Sequence, residues 1–297
     1  MATSKHFQHA SRIGERFAPR PPKPPIESKS RAGRNLPAAI ATGVILLAIV
    51  ALSLMFYIEL FVVLAAGALL IGIWEFASAV LARNYRIPVL TLCVSVVLMV
   101  ALTWTFGVGA GFLGYLIAIT ATLGITKYYL NEDLRVGIVG VFGLAWIGLF
   151  GIFAVGMARF PTPALVVASL ILLAAANDTG GWLIGVVFGK HPIAPKISPK
   201  KSWEGFAGSM AFTLLISYLL IGQVIGLSWQ WVLLFGVFTP FLATAGDFSE
   251  SMVKRDLGIK DMGSLFPGHG GMLDRLDSIL FCAPVFYFLF GLAFGVI

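Results

Sequence analysis

Long apolar runs decide what this chain can become. A helix crossing a hydrocarbon core of about 30 Å needs roughly 20 predominantly apolar residues. Nine runs near that length follow one another: 36–57, 58–82, 87–106, 108–125, 136–157, 163–189, 206–226, 229–246 and 278–297. The predicted fold is therefore all-α, a polytopic membrane bundle of about nine helices. With 58% hydrophobic and 12% charged residues and a mean hydropathy of +0.92, the composition lies outside that of soluble domains. Both cysteines, Cys93 and Cys282, fall inside apolar runs, which argues against a disulfide framework or a thiolate metal site.

Residues 1–35 carry eight basic residues and the cluster Pro19, Pro21, Pro22, Pro24, Pro25. Such a leader cannot bury a core and is expected to be disordered. No cleavable signal peptide is expected, because the first apolar run begins behind it. The leader either fixes topology as a solvated tail or rests on anionic headgroups, at roughly 1 kcal/mol per basic residue near the surface. With the N-terminus placed in the cytoplasm and each run crossing once, every basic residue but Arg159 of the 21 falls on the inner side, as the positive-inside rule requires. Residues 36–297 then form a transmembrane domain with an outer C-terminus. Its polar loops 190–205 and 247–277 share the cytoplasmic face, where soluble nucleotides are available.

Gly181, Gly185 and Gly189 repeat every fourth position, as do Gly107 and Gly111, which predicts close helix packing. Gly109, Gly111 and Gly114 spell GxGxxG, but inside an apolar run with no preceding strand, so no dinucleotide site is inferred.

Charge gathers between Gly246 and Asp277, which hold six of the 14 acidic residues. Asp247, Ser251 and Lys254 are spaced four and then three apart and share one face of a helix; Asp274 and Asp277 are likewise three apart. Oxygen ligands without a nearby cysteine suit a hard cation such as Mg²⁺. On spacing alone, the same carboxylates could equally pair with Lys254, Arg255 and Arg275 at the surface. Between them, Pro267, Gly268, His269, Gly270 and Gly271 are too glycine-rich for a helix and offer either a phosphate cradle or a tight turn. A second cluster, residues 188–205, places Lys196, Lys200 and Lys201 beside Ser198 and Ser202. It reads as a site for phosphate groups or as a basic loop that sets topology. Asp178, deep in the sixth run beside Asn177 and Thr179, would cost about 2.5–3.5 kcal/mol at a bilayer centre and so marks a functional site or a paired charge. Glu75 in the second run is a weaker version of the same case, a functional site or a charge that could pair with Arg83 or Arg86 by snorkelling, and Glu59 lies near the outer interface and needs no special role.

Written as a spacing, Ser251 to Asp277 reads SxxKRxxxxKDxxxxxPGHGGxxDRxD. This resembles the signature of the phosphatidate cytidylyltransferases, or CDP-diacylglycerol synthases, and residues 188–205 resemble that family's other recurrent segment. Gly181, Trp182 and Ser202 are mild departures. The resemblance implies transfer of a cytidylyl group from CTP to phosphatidic acid, with Asp247, Asp274, Asp277, Ser251, Lys254 and Arg255 catalytic. It implies Mg²⁺ on Asp247, Asp274 and Asp277, with a second metal or a monovalent cation left open. Substrate binding would involve Asp178, Lys196, Ser198, Lys200, Lys201, Lys260, Asp261, His269, Gly270, Gly271 and Arg275. Expected partners are CTP, phosphatidic acid and membrane lipids, not nucleic acid, and the small-residue ridges are compatible with a homodimer. The alternatives are an enzyme acting on another lipid phosphate and, more distantly, a transporter.

Overall fold

The computed structural model describes Pro19, residues 36–265 and residues 270–296, with side chains in the first helix from Gly43 onward. The rest of the leader expected to be disordered lies outside the described residues, as do Pro267, Gly268 and His269. The helices are α1 (Leu36–Phe56), α2 (Ile58–Leu81), α3 (Val89–Phe106), α4 (Val108–Tyr129), α5 (Leu134–Met157), α6 (Pro163–Phe188), α7 (Trp203–Val224), α8 (Trp229–Leu257) and α9 (Leu273–Phe294). Among the described residues, α2 to α9 are each long and apolar enough to cross a membrane; of α1, the shorter stretch Gly43–Phe56 is described in full. The molecule is thus the helical membrane bundle that the apolar runs predict.

Two polar segments differ from expectation. Residues 247–277 are not one loop: α8 runs on to Leu257, and α9 already begins at Leu273. Nothing between Asp247 and Leu257 breaks a helix, and the Glu250–Lys254 pair supports it at i,i+4 spacing. Gly258 then stops it with φ +72°, while the Ile259 N–H donates to the Lys254 carbonyl at 2.9 Å, a glycine C-cap. Residues 190–205 hold a short antiparallel hairpin, β1 (Pro192–Ala194) with β2 (Ser198–Ser202), a minor exception to the all-α expectation. Ser202 ends the hairpin and caps α7, its hydroxyl accepting from the Gly205 N–H at 3.1 Å.

Glycines set the closest helix pair, α6 on α7. A Cβ at Gly208 would stand 2.5 Å from Ile184 and 2.6 Å from the Gly180 carbonyl, and one at Gly181 would stand 2.6 Å from the Ser209 hydroxyl. Gly208→Val is expected to destabilise the protein by about 1–3 kcal/mol through overpacking. Gly109→Ala, with nothing within 4 Å of the added carbon, should be nearly neutral; melting curves of the purified variants check the pair. The GxGxxG match lies wholly within α4, where Gly111 and Gly114 pack on α3.

The polar segments meet at one end of the bundle. Arg255 Nε donates to the Ile197 carbonyl at 3.5 Å, tying α8 to the hairpin turn, and Arg83 donates to the Asp256 carbonyl at the end of α8.

Candidate active site

Three elements converge there: the hairpin, the extension of α8 and the first turns of α9. Lys201 at the end of β2 forms an ion pair with Asp247 on α8. The other Asp247 oxygen accepts from the Ser278 hydroxyl on α9 at 2.6 Å. Asp277 accepts from the Ser278 N–H at 2.8 Å and lies against both Asp247 and Glu250. At this level a Cβ on Gly246 would sit 2.5 Å from the Asp277 carbonyl. The absence of that carbon lets α8 and α9 come close enough for their carboxylates to meet.

Asp178 stands within electrostatic reach of Asp247, Lys201 and Arg275. It accepts from the Asn177 amide at 3.0 Å, and Asn177 is in turn fixed to α7 through its carbonyl, which accepts from the Ser209 hydroxyl at 2.7 Å. Asp178 is exposed by surface area and has charges of three other elements around it.

Asp274 occupies different surroundings. One oxygen accepts from Lys254 Nζ at 2.9 Å, and the other from the Gly271 N–H at 2.7 Å and the Met262 N–H at 3.0 Å. Lys254 also donates to Glu250 at 2.7 Å. Of the expected trio, Asp247 and Asp277 come together, while the Asp274 carboxylate bonds to the backbone of residues 262 and 271 and to Lys254. Among the described residues, no group of three or more His, Cys, Asp or Glu side chains is gathered tightly enough to hold an ion by itself.

The remaining predicted residues are placed unevenly. Lys196, Lys200 and Lys260 are exposed, and among the described residues none of them forms an ion pair. Ser198, Ser251 and Asp261 are half-buried. Gly270 adopts φ +79°, a conformation suited to glycine, and a Cβ there would stand 2.7 Å from Asp274 Oδ2. Arg275 is exposed on the first turn of α9 near Asp178. His269 lies outside the described residues.

Sequence reasoning missed three participants and the partner of a fourth. Glu250, buried to 1% exposure, joins the carboxylates; its spacing to Lys254 was the available signal. Ser278 neighbours Asp277 but carries no separate signal. Glu204 accepts from the Lys190 and His191 N–H groups at 3.1 and 3.2 Å and pairs with His191 Nδ1 at 2.6 Å, bracing the hairpin. Glu75 was noticed, but its partner was misjudged. It accepts from the Met272 and Leu273 N–H groups at 3.0 and 2.8 Å, whereas Arg83 turns to α8.

A hard cation fits this donor set. Asp178, Asp247, Glu250, Asp274 and Asp277 outnumber Lys201, Lys254 and Arg275, and Glu250 Oε1 is buried without a hydrogen-bond donor. Surplus negative charge at low dielectric calls for a positive partner. All candidate ligands are oxygens, and Mg²⁺ needs only one or two carboxylates when substrate phosphates complete its shell.

Comparison with known proteins bears on the chemistry. The family model described as the cytidylyltransferase family matches residues 37–293. A protein of Mycobacterium leprae named phosphatidate cytidylyltransferase is 39% identical over 277 residues, covering 86% of this chain and 87% of its own. The protein of that name from Mycobacterium bovis is 37% identical over 279 residues, covering 86% and 88%. One from Aquifex aeolicus is 37% identical over 161 residues, or 54% of this chain and 60% of its own.

Proposed function

Because the chain belongs to the cytidylyltransferase family, we propose that it transfers the cytidylyl group of CTP to phosphatidic acid, forming CDP-diacylglycerol and pyrophosphate. The observation that carries this reading is the meeting of Lys201, Asp247, Asp277 and Ser278 from three elements at one end of the bundle. The lysines and arginines of the hairpin and of the α8 and α9 ends lie there among the described residues, and by the positive-inside rule they favour the cytoplasmic side. There a lipid phosphate can reach a soluble nucleotide without leaving the interface.

The reaction is an in-line displacement. A phosphatidate oxygen bonds to the α-phosphorus of CTP, the bond from that phosphorus to the bridging oxygen of the β-phosphate breaks, and pyrophosphate leaves with the electron pair. The attacking oxygen is already anionic near neutral pH, so no side chain has to remove a proton. What the protein supplies is position and charge. Asp247 and Asp277 would hold Mg²⁺, which when bound neutralises phosphate oxygens and draws two anions together. Ser278 orients Asp247 through its 2.6 Å bond. Lys201, half-buried on Asp247, stands nearest the transfer site, and the exposed Lys196 and Lys200 attract the triphosphate from solution. The Gly185 and Gly205 backbones, close enough that a Cβ on one would stand 3.6 Å from the other's Cα, fix the hairpin that carries these lysines. Asp178 adds a carboxylate from α6 to the same group of charges.

Purified protein in mixed micelles with labelled CTP should form CDP-diacylglycerol only when phosphatidic acid and Mg²⁺ are both present, and EDTA should abolish the product. Pyrophosphate released without lipid, or CTP left intact in the full mixture, would refute the assignment. Substituting other lipid phosphates in the same assay measures acceptor choice.

A further inference from the structure

We propose that Glu75 is a positioning residue for nucleotide transfer: from the middle of the bundle it clamps the α8–α9 connection and the start of α9 in the register that the site needs. The proposal rests on the function proposed above and adds a residue remote in sequence from both polar segments.

Glu75 lies on α2 and is buried to 1% exposure. Its two carboxylate oxygens accept from successive backbone donors, Met272 at 3.0 Å and Leu273 at 2.8 Å. Those N–H groups belong to the N-terminus of α9, where a helix has unsatisfied donors and a partial positive charge. A local Ser, Thr, Asp or Asn usually fills this role, but Met272 offers no side-chain cap. Two glycines close around the acid. A Cβ at Gly263 would stand 2.2 Å from Glu75 Oε1, and one at Gly271 would stand 2.4 Å from Oε2. On the far side of Gly271, Asp274 accepts from the Gly271 and Met262 N–H groups. The backbone at 262–263 and at 271–273 is therefore held between two carboxylates, one remote and one local. Asp274, Arg275 and Asp277 all ride on the turns of α9 that Glu75 anchors.

A burial penalty for an acid inside the bundle is tolerable where its charge is met by oriented backbone dipoles, and Glu75 meets two, the N–H groups of Met272 and Leu273. Glu75 itself touches no reacting group. Its effect must appear through misplacement of what it holds, and small displacements in an active site cost as much as about 100-fold.

Three readouts test this. In Glu75→Gln one oxygen becomes an amide that repels the N–H it formerly accepted, so the KM for CTP should rise about 10-fold while the KM for phosphatidic acid changes less than about 2-fold. A merely structural loss would reduce the amount of active enzyme and move neither KM. Gly271→Ala presses on the same carboxylate from the other side, so it should reproduce the CTP defect. In the Glu75→Ala background it should add little, giving non-multiplicative coupling. Independently of any activity, trypsin should cut after the exposed Lys260 faster in Glu75→Gln than in wild type. If Glu75→Ala is not recovered folded, Glu75→Gln and Gly271→Ala carry the test. A wild-type KM for CTP together with wild-type cleavage at Lys260 would overturn the proposal. A wild-type protein that makes no CDP-diacylglycerol would overturn the proposed function, while the cleavage comparison would still decide the clamp.

Discussion

Asp277→Asn should lower turnover by about 1,000-fold and, in EDTA at alkaline pH, raise the melting temperature of the purified protein. The two effects share one cause. Asp277 lies against Asp247 and Glu250, within hydrogen-bond reach of both carboxyls. Like charges held together at low dielectric repel strongly, so at a pH high enough to ionise both acids, neutralising one of them at constant size removes a destabilising interaction. Function explains why the strain is kept: a site built to receive a cation must hold its negative charges ready. Added Mg²⁺ should therefore raise the melting temperature of the wild type by mass action and leave that of Asp277→Asn almost unmoved. A variant that melts below wild type in EDTA at alkaline pH, or that retains the Mg²⁺ response, would contradict the assignment of Asp277 as a ligand.

The helices were legible in the sequence because the bilayer imposes a length rule on every apolar run, and eight of the described helices obey it. The ends of α8 and α9 were not. A hydropathy reading stops a span at its first charged residues, whereas α8 stops only at Gly258, where the backbone needs φ +72°. Of the site, the residues were legible and their partnerships were not. Asp247, Asp274 and Asp277 look alike in the motif, but only the fold shows that Asp274 faces backbone N–H groups while Asp277 faces carboxylates. Glu75 illustrates the same limit. A buried acid announces that it has a partner, yet a partner made of main-chain N–H groups 197 and 198 residues away leaves no mark on side-chain identity. The glycines at 263 and 271 were the only trace, and a glycine gives no sign of what it makes room for.

Asp274→Asn should also cost activity, by about 100-fold or more, but with the opposite effect on stability. Every arrangement of the asparagine amide leaves a donor facing a donor. If its oxygen takes the place that accepts from Lys254 at 2.9 Å, its NH₂ group faces the Gly271 and Met262 N–H groups; if flipped, it faces Lys254. Stranding a buried donor costs about 1–3 kcal/mol, so this variant should melt below wild type whether or not EDTA is present. The protein should still respond to added Mg²⁺, because Asp247 and Asp277 are intact. Two aspartates one helical turn apart are thus expected to move the melting temperature in opposite directions when made neutral. That contrast separates a residue that holds the backbone from one that waits for an ion. If Asp274→Asn instead proves more stable in EDTA and loses its response to Mg²⁺, Asp274 belongs with the metal ligands, and the separation drawn here between the two carboxylates fails.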